Sequence, residues 1–324
     1  MVRVKALLRG RYGGPSVLRV GERPLPRIGG SDVLVRVRAA SVNAADVDYL
    51  RGTFLVRFGG PFRPSVRVLG SDIAGTVESA GADVTRFAPG DEVFGDLFTS
   101  GFGAFAEYAR APESALVTKP AGLTFEQAAT LPQAGLLALQ GLRHGRPVGP
   151  GDSVLINGAG GGAGTFAVQI AKSMGAQVTG VDSAGKLDLL RSLGADEVID
   201  YAEQDFTRSK WRYDRIVDFV SRRSPADYRR AMAEDGRCLI VGGSTLRLVQ
   251  AATVGSVLSR DSSQTVGLLL WRAMDAEDLE HLIGLVLAGT VTPVIERTYA
   301  LGEAADALRR TEAGEVLGKV VIIP

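Results

Sequence analysis

Apolar and polar positions follow two different periods along this chain. Between Ser153 and Leu270, short apolar runs of strand type fall at 153–157, 177–181, 197–199, 215–218, 237–241 and 265–270. Between the first five, apolar residues recur three and four apart over 163–174, 185–193 and 225–233, the spacing of helices with one buried face, while the third crossover is short. Parallel strands need such crossovers, so this half predicts a parallel sheet wound on both faces. Residues 1–121 read instead as short strands and turns. Val33–Ala39 alternates apolar and charged residues, and further strands are predicted at 2–8, 73–78, 92–94 and 104–109, with Pro24, Pro26, Gly29 and Gly30 in a connection. This part is mostly antiparallel and barrel-like. Thr124 caps a helix beginning at Phe125, 135–142 continues helical after Pro132, and the last part predicts helices at 276–288 and 302–310 and a closing strand at 319–323.

The first apolar run of the parallel half opens onto five glycines in seven residues, Gly158-Ala159-Gly160-Gly161-Gly162-Ala163-Gly164, and then onto a helix carrying Phe166, Ile170 and Met174. Such a turn exposes backbone N–H groups and the positive end of a helix dipole, and glycine lets a pyrophosphate approach closely. The register is A-x-G-x-x-G rather than G-x-G-x-x-G. Context strengthens it, because the next strand ends in Asp182, about twenty residues on, where a dinucleotide fold places a ribose-binding acid. No Lys-Ser or Lys-Thr closes the loop, which disfavours a nucleotide-hydrolysing P-loop.

Composition narrows the partners. The 324 residues suit two domains, and the net charge of +1, with both signs interspersed, asks for neither nucleic acid nor an acidic membrane surface. No apolar run approaches the ~20 residues of a membrane span and no signal peptide opens the chain, so a soluble cytoplasmic protein is expected. The one cysteine, Cys238, reads as a core residue. With only His144 and His281 beside it, the usual Cys/His zinc set cannot be assembled.

Several stretches in order, Ser41-Val42-Asn43-Ala44-Ala45-Asp46, Leu69-Gly70-Ser71-Asp72, Gly90-Asp91-Glu92-Val93-Phe94-Gly95, Ala129-Thr130-Leu131-Pro132, Ala159–Gly164, Leu193-Gly194-Ala195-Asp196 and Gly318-Lys319-Val320-Val321, span the whole chain. Together they resemble the zinc-independent medium-chain dehydrogenase/reductase superfamily, on its quinone oxidoreductase and enoyl reductase branch. The resemblance implies an α/β protein with a GroES-like catalytic domain at 1–121 and 275–324 and a Rossmann dinucleotide-binding domain at 122–274. Zinc-dependent relatives hold their metal with cysteine, histidine and cysteine, places that fall here at Asn43, Ser71 and about Thr130, so no zinc is expected. Without that Lewis acid the acceptors implied are quinones or activated carbon–carbon double bonds, with NADPH or NADH as hydride donor.

The same resemblance suggests site residues. Asn43, Tyr49 and Arg51 fall in the substrate-side segment, although the quinone reductase pattern would place its tyrosine at Asp48. Asp46 is read as orienting backbone, and 53–64, with Phe54, Phe58 and Phe62, as an apolar lid or rim. On the cofactor side stand Thr130, Gly161, Gly162, Ala163, Gly164, Asp182, Ser183, Lys186, Tyr201, Gly242, Gly243, Ser244 and Lys319. Asp182 favours NADH, whereas Ser183, Lys186 and Tyr201 match residues that relatives set around the 2′-phosphate of NADPH, and the resemblance leans to NADPH. The run Ser183–Leu190 also resembles enoyl reductases of secondary metabolism. Other readings are a catalytically silent nucleotide-binding protein of the zeta-crystallin kind and, for assembly, a homodimer paired along the 265–270 edge.

Overall fold

The apolar runs of the second half assemble into one six-stranded sheet. A computed structural model describes residues 2–255 and 263–324, and these divide into two compact units. Unit one comprises Met1–Gln133, Ala273–Asp275 and Ile295–Pro324, and unit two Ala134–Arg272 and Ala276–Val294.

Unit two holds strands β8 (Ser153–Asn157), β9 (Gln177–Asp182), β10 (Glu197–Asp200), β11 (Tyr213–Asp218), β12 (Met232–Ile240) and β13 (Thr265–Leu268), in the order β10-β9-β8-β11-β12-β13. Every pairing is parallel. Counting strands from β8, this is the 3-2-1-4-5-6 order of the doubly wound dinucleotide fold, whose direction of winding reverses between β8 and β11. The connecting helices include α5 (Gly162–Ser173), α6 (Leu187–Ser192) and α7 (Pro225–Ala231). Strand and helix pack closely after β8 because Gly164 has no side chain. A Cβ there would lie 2.2 Å from the Gly158 carbonyl oxygen.

Unit one is built on a seven-stranded sheet. Its strands β3 (Asp32–Ser41), β4 (Asp72–Ala80), β5 (Glu92–Asp96), β7 (Leu116–Thr118), β14 (Ile295–Ala300) and β15 (Lys319–Ile323) run in the order β14-β15-β3-β4-β5-β7, and β6 (Tyr108–Pro112) also pairs with β3. The closing strand of the chain therefore lies beside the end of β3, where Val321 pairs with Ser41 and Ile322 with Ala40. The alternation along β3 buries Val33, Val35 and Val37 in a core shared with Leu7, Leu69, Ile73, Val93, Phe105 and Ile322.

Local differences from the sequence reading have physical causes. The segment 19–24, of which the sequence assigns only Pro24, to a connection, forms strand β2 (Arg19–Pro24), paired among the described strands with β1 (Arg3–Leu8) alone and largely exposed, so it lacks a buried stripe. The predicted strand at 104–109 begins only at Tyr108. Ahead of it Ala104 and Phe105 donate to the carbonyls of Gly70 and Leu69, and Leu7 donates back to Phe105, so the apolar residues are buried without a regular ladder. The helix predicted at 225–233 stops at Ala231, and β12 starts at Met232 opposite Tyr213. No described helix is long and apolar enough to cross a membrane.

Candidate active site

In unit one, Asn43 stands at the end of β3 as the N-cap of α1 (Ala44–Arg51). Asp46, three residues on, accepts the Asn43 backbone N–H at 2.9 Å through Oδ2 and the Gly70 N–H at 2.8 Å through Oδ1. The carboxyl thus ties α1 to the loop carrying Ser71, an orienting role of the kind expected for it. From β15, Lys319 reaches in. Its Nζ donates to Asn43 Oδ1 at 2.5 Å and to the Val42 carbonyl at 2.8 Å. Asn43 Nδ2 donates to Ser71 Oγ at 3.2 Å. With an ammonium at one end and a hydroxyl at the other, the amide has one favourable orientation.

Burial and charge shape this cluster. Asp46, Asp72 and Lys319 are buried, as is Asp96 on β5. Burial pushes Asp46 up to about 7 and Asp96 up to about 8, the latter also raised by Asp72. Burial lowers Lys319, against the pull of Asp72, Asp46 and Asp96. Lys319, which could equally have been a solvated terminal-strand residue, is only 2 % exposed.

The other two residues predicted on the substrate side are engaged elsewhere. Tyr49 is half-buried, its ring 4.4 Å from that of Phe102 and 5.9 Å from that of Phe98, and its hydroxyl is shifted upward chiefly by burial. Arg51 pairs with Glu312 of the helix Ala304–Ala313. Neither is hydrogen-bonded to Asn43 among the described contacts. Thr130 is buried at the end of α3 (Phe125–Thr130), where its hydroxyl donates to the Gln127 carbonyl at 2.7 Å. Phe54, Phe58 and Phe62 are exposed.

In unit two the glycine turn follows β8. Gly158 has φ +80°, Gly161 is the N-cap of α5, and no side chain caps this helix. First-turn N–H groups of a helix have no acceptor within it, so this end suits a pyrophosphate. Asp182 is buried and turned toward the turn. Its Oδ2 accepts the Gly160 N–H at 2.8 Å, its Oδ1 accepts the Ser183 N–H at 2.9 Å, and Lys186 Nζ lies 3.8 Å from Oδ1. Lys186 is buried as well, whereas Tyr201 stays half-exposed and its backbone N–H binds the Asp182 carbonyl. Gly242 and Gly243 follow β12, Gly243 with φ +127°, and Ser244 Oγ caps the helix Thr245–Gln250.

Three polar residues escaped the sequence reading. Asp72 stands within one motif of the resemblance and Asp96 directly after another, and neither is given a role by it. Asp218, at the end of β11, accepts from Tyr228 Oη at 2.5 Å, Asn157 Nδ2 at 3.0 Å and the N–H groups of Val220 and Ser221 at 2.8 and 2.6 Å. It fixes the loop at the switch point of the sheet. An aspartate after an apolar strand was the available signal.

Residues 29–121 match the alcohol dehydrogenase GroES-like domain family, and residues 193–322 the zinc-binding dehydrogenase family. A chloroplastic quinone-oxidoreductase of Triphysaria versicolor is 32 % identical over 97 % of this chain and 96 % of its own length. The chain belongs to the medium-chain dehydrogenase/reductase superfamily, on its quinone oxidoreductase branch. A mitochondrial NAD(P)H oxidoreductase of Mus musculus is 33 % identical over 96 % of this chain and 87 % of its own. The solved quinone oxidoreductase of Coxiella burnetii superposes with a TM-score of 0.89, at 31 % identity and with both chains fully covered.

The resemblance sets the zinc positions of metal-dependent members at Asn43, Ser71 and about Thr130. Here they hold an amide, a hydroxyl bonded to it and a buried hydroxyl turned onto backbone, with the Lys319 ammonium alongside. These groups are poor zinc ligands, and a buried ammonium on Asn43 opposes a dication, so the residues do not fit the metal. Among the described residues no group of three or more His, Cys, Asp or Glu side chains is arranged to hold one.

Lys319→Met removes the cation from among three buried carboxyl groups. Breaking a buried ion pair is expected to destabilise by about 3–5 kcal/mol where the carboxyls are ionised. At lower pH they can take up protons instead. The variant's deficit in thermal midpoint should therefore be larger at pH 9 than at pH 6, and an equal deficit at both would contradict this assignment.

Proposed function

We propose that this chain is a NAD(P)H-dependent reductase that passes hydride to a quinone or an α,β-unsaturated carbonyl without a metal. The observation that carries this reading is the Lys319–Asn43–Ser71 chain at the positions where zinc-dependent relatives bind their metal. The names of the relatives support the acceptor class and the nicotinamide cofactor.

Reduced nicotinamide supplies the hydride. The uncapped start of α5, with Gly161, Gly162, Ala163 and Gly164, would bind the pyrophosphate, and Gly242 and Gly243 let the chain beyond β12 pass close to the loop 219–221. In unit one the protein's part is to position and to exclude water. Asn43, held by Lys319, offers a fixed amide, and the desolvated surroundings strengthen any hydrogen bond to charge developing on an acceptor oxygen. The engagement of Tyr49 with Phe98 and Phe102, and of Arg51 with Glu312, supports Asn43 as the principal polar group of the three residues expected on the substrate side.

For the cofactor we assign NADPH. Asp182 directs its carboxylate onto the turn and is faced by Lys186, which supports a role as a clamp on Gly160 rather than as a free acceptor for a ribose diol. Ser183, Lys186 and Tyr201 then supply the donors for a 2′-phosphate. For assembly, β13 stands at the end of the order of described strands, and Leu270 just beyond it is 82 % exposed, which supports pairing with a second copy along this edge.

The protein with NADPH is expected to oxidise the nucleotide when quinones or enones are added, at a rate unchanged by a metal chelator. Nucleotide oxidation that stops on chelation would overturn the metal-free reading, and no oxidation with any acceptor would overturn the reductase reading. Lys186→Ala should weaken NADPH about tenfold or more and leave NADH within about twofold, since one charge-assisted contact contributes roughly 1.5–3 kcal/mol. Equal losses for both nucleotides would show that Lys186 serves only Asp182. Sedimentation as a monomer at micromolar concentration would contradict the edge pairing.

A further inference from the structure

Asp72 on β4 and Asp96 on β5 are direct partners in an antiparallel ladder, so their side chains leave the sheet on the same face. Both are buried, with relative exposures of 0 and 2 %. Asp72 Oδ2 accepts from Ser41 Oγ at 3.1 Å, and Asp96 Oδ1 accepts the Phe98 N–H at 2.7 Å. The remaining oxygens, Asp72 Oδ1 and Asp96 Oδ2, are both buried and without a well-formed hydrogen bond, although the Asn43 side chain and the Gln133 N–H lie near enough to Asp72 to favour its charged form.

The charged groups facing this pair are few. Asp46 comes from α1, with both oxygens already bonded to backbone N–H groups, and Lys319 comes from β15. Lys119, beside the far end of β5, is held by Glu92 and by the carbonyls of Pro120 and Leu123. Full ionisation would thus set three carboxylates against one ammonium in a desolvated place. Two opposed carboxylates, each with a bare oxygen, repel, whereas one proton between them turns a donor toward an acceptor and removes a charge.

We propose that Asp72 and Asp96 share a single proton, and that Asp96, as its principal holder, is a positioning residue for Asn43. With the proton present, the pair presents one negative charge to Lys319, and the ammonium stays on Asn43. With it lost, a second negative charge draws Lys319 toward the pair and loosens the amide. Burial and the neighbouring Asp72 together push Asp96 up to about 8, which is consistent with a proton retained at neutral pH.

The stability consequence has a definite sign. A carboxyl whose folded value is raised contributes stability at low pH that is lost as pH climbs through that value. Wild type should lose thermal midpoint between pH 6 and pH 9, and Asp96→Asn, which cannot ionise, should be spared about 5 °C of that loss. In the infrared, Asp46 and Asp96 should each give wild type a protonated carboxyl band that shifts in deuterium oxide and bleaches as pH rises, and the component bleaching near 8 should be missing from Asp96→Asn. If the variant fails to fold, bleaching of two carboxyls rather than one in wild type decides. Bleaching of a single carboxyl in wild type would overturn the proposal, as would an undiminished band in the variant or parallel pH dependences of the two midpoints. A third arm rests on the reductase reading. The alkaline limb of kcat/KM should move by one pH unit or more in Asp96→Asn, and an unmoved limb would remove the positioning role. The infrared and thermal arms need no substrate, so they stand or fall apart from that reading.

Discussion

One buried ammonium holds the polar end of unit one together. Lys319 arrives on the last strand of the chain and binds Asn43, which closes β3 near the chain's beginning. Taking an ammonium out of water costs several kcal/mol unless it is paired and hydrogen-bonded. Asp46, Asp72 and Asp96 provide the opposing charge, and the Val42 carbonyl and Asn43 amide receive its hydrogen bonds. The placement of β15 between β14 and β3 is therefore more than a way to finish a sheet. It delivers the cation that fixes the orientation of the Asn43 amide.

Unit two depends on a different constraint, the close approach of backbone after β8. Gly164 lets α5 begin almost against the preceding strand, and Asp182 then reaches across from β9 to hold Gly160. Such an aspartate has two possible uses, accepting from a ribose or from the turn itself. Here the geometry favours the turn, with Lys186 alongside. The A-x-G-x-x-G register fits this arrangement, because the tight contact falls at Gly164 rather than at position 159.

Much of this architecture was legible in the sequence because it rests on periodicity and backbone freedom. The alternating runs after Ser153 specify a parallel sheet, and the glycines mark the tight turn between β8 and α5. Strand β2 was not legible, since an exposed two-stranded edge needs no apolar alternation, and neither was the irregular burial of 104–106. At the site, Asn43 and Asp46 were readable from their motif, and Asp46 orients backbone. What sequence could not show is which polar residues are desolvated. Asp72 and Asp96 carry no signal of their own until the sheet places them near Lys319, which the resemblance set on the cofactor side. Tyr49 and Arg51 lie in the same segment, and their contacts with Phe98 and Phe102 and with Glu312 are ones the motif does not specify.

The central claim is direct hydride transfer to an activated double bond or quinone in a site organised without metal. The most direct measurement is the fate of the transferred hydrogen, followed with nucleotide deuterated at the reactive C4 position and an enone acceptor in ordinary water. The account predicts deuterium at the β-carbon of the saturated product, with the proton at the α-carbon coming from solvent. Nucleotide oxidation with no deuterium on the product carbon would contradict it.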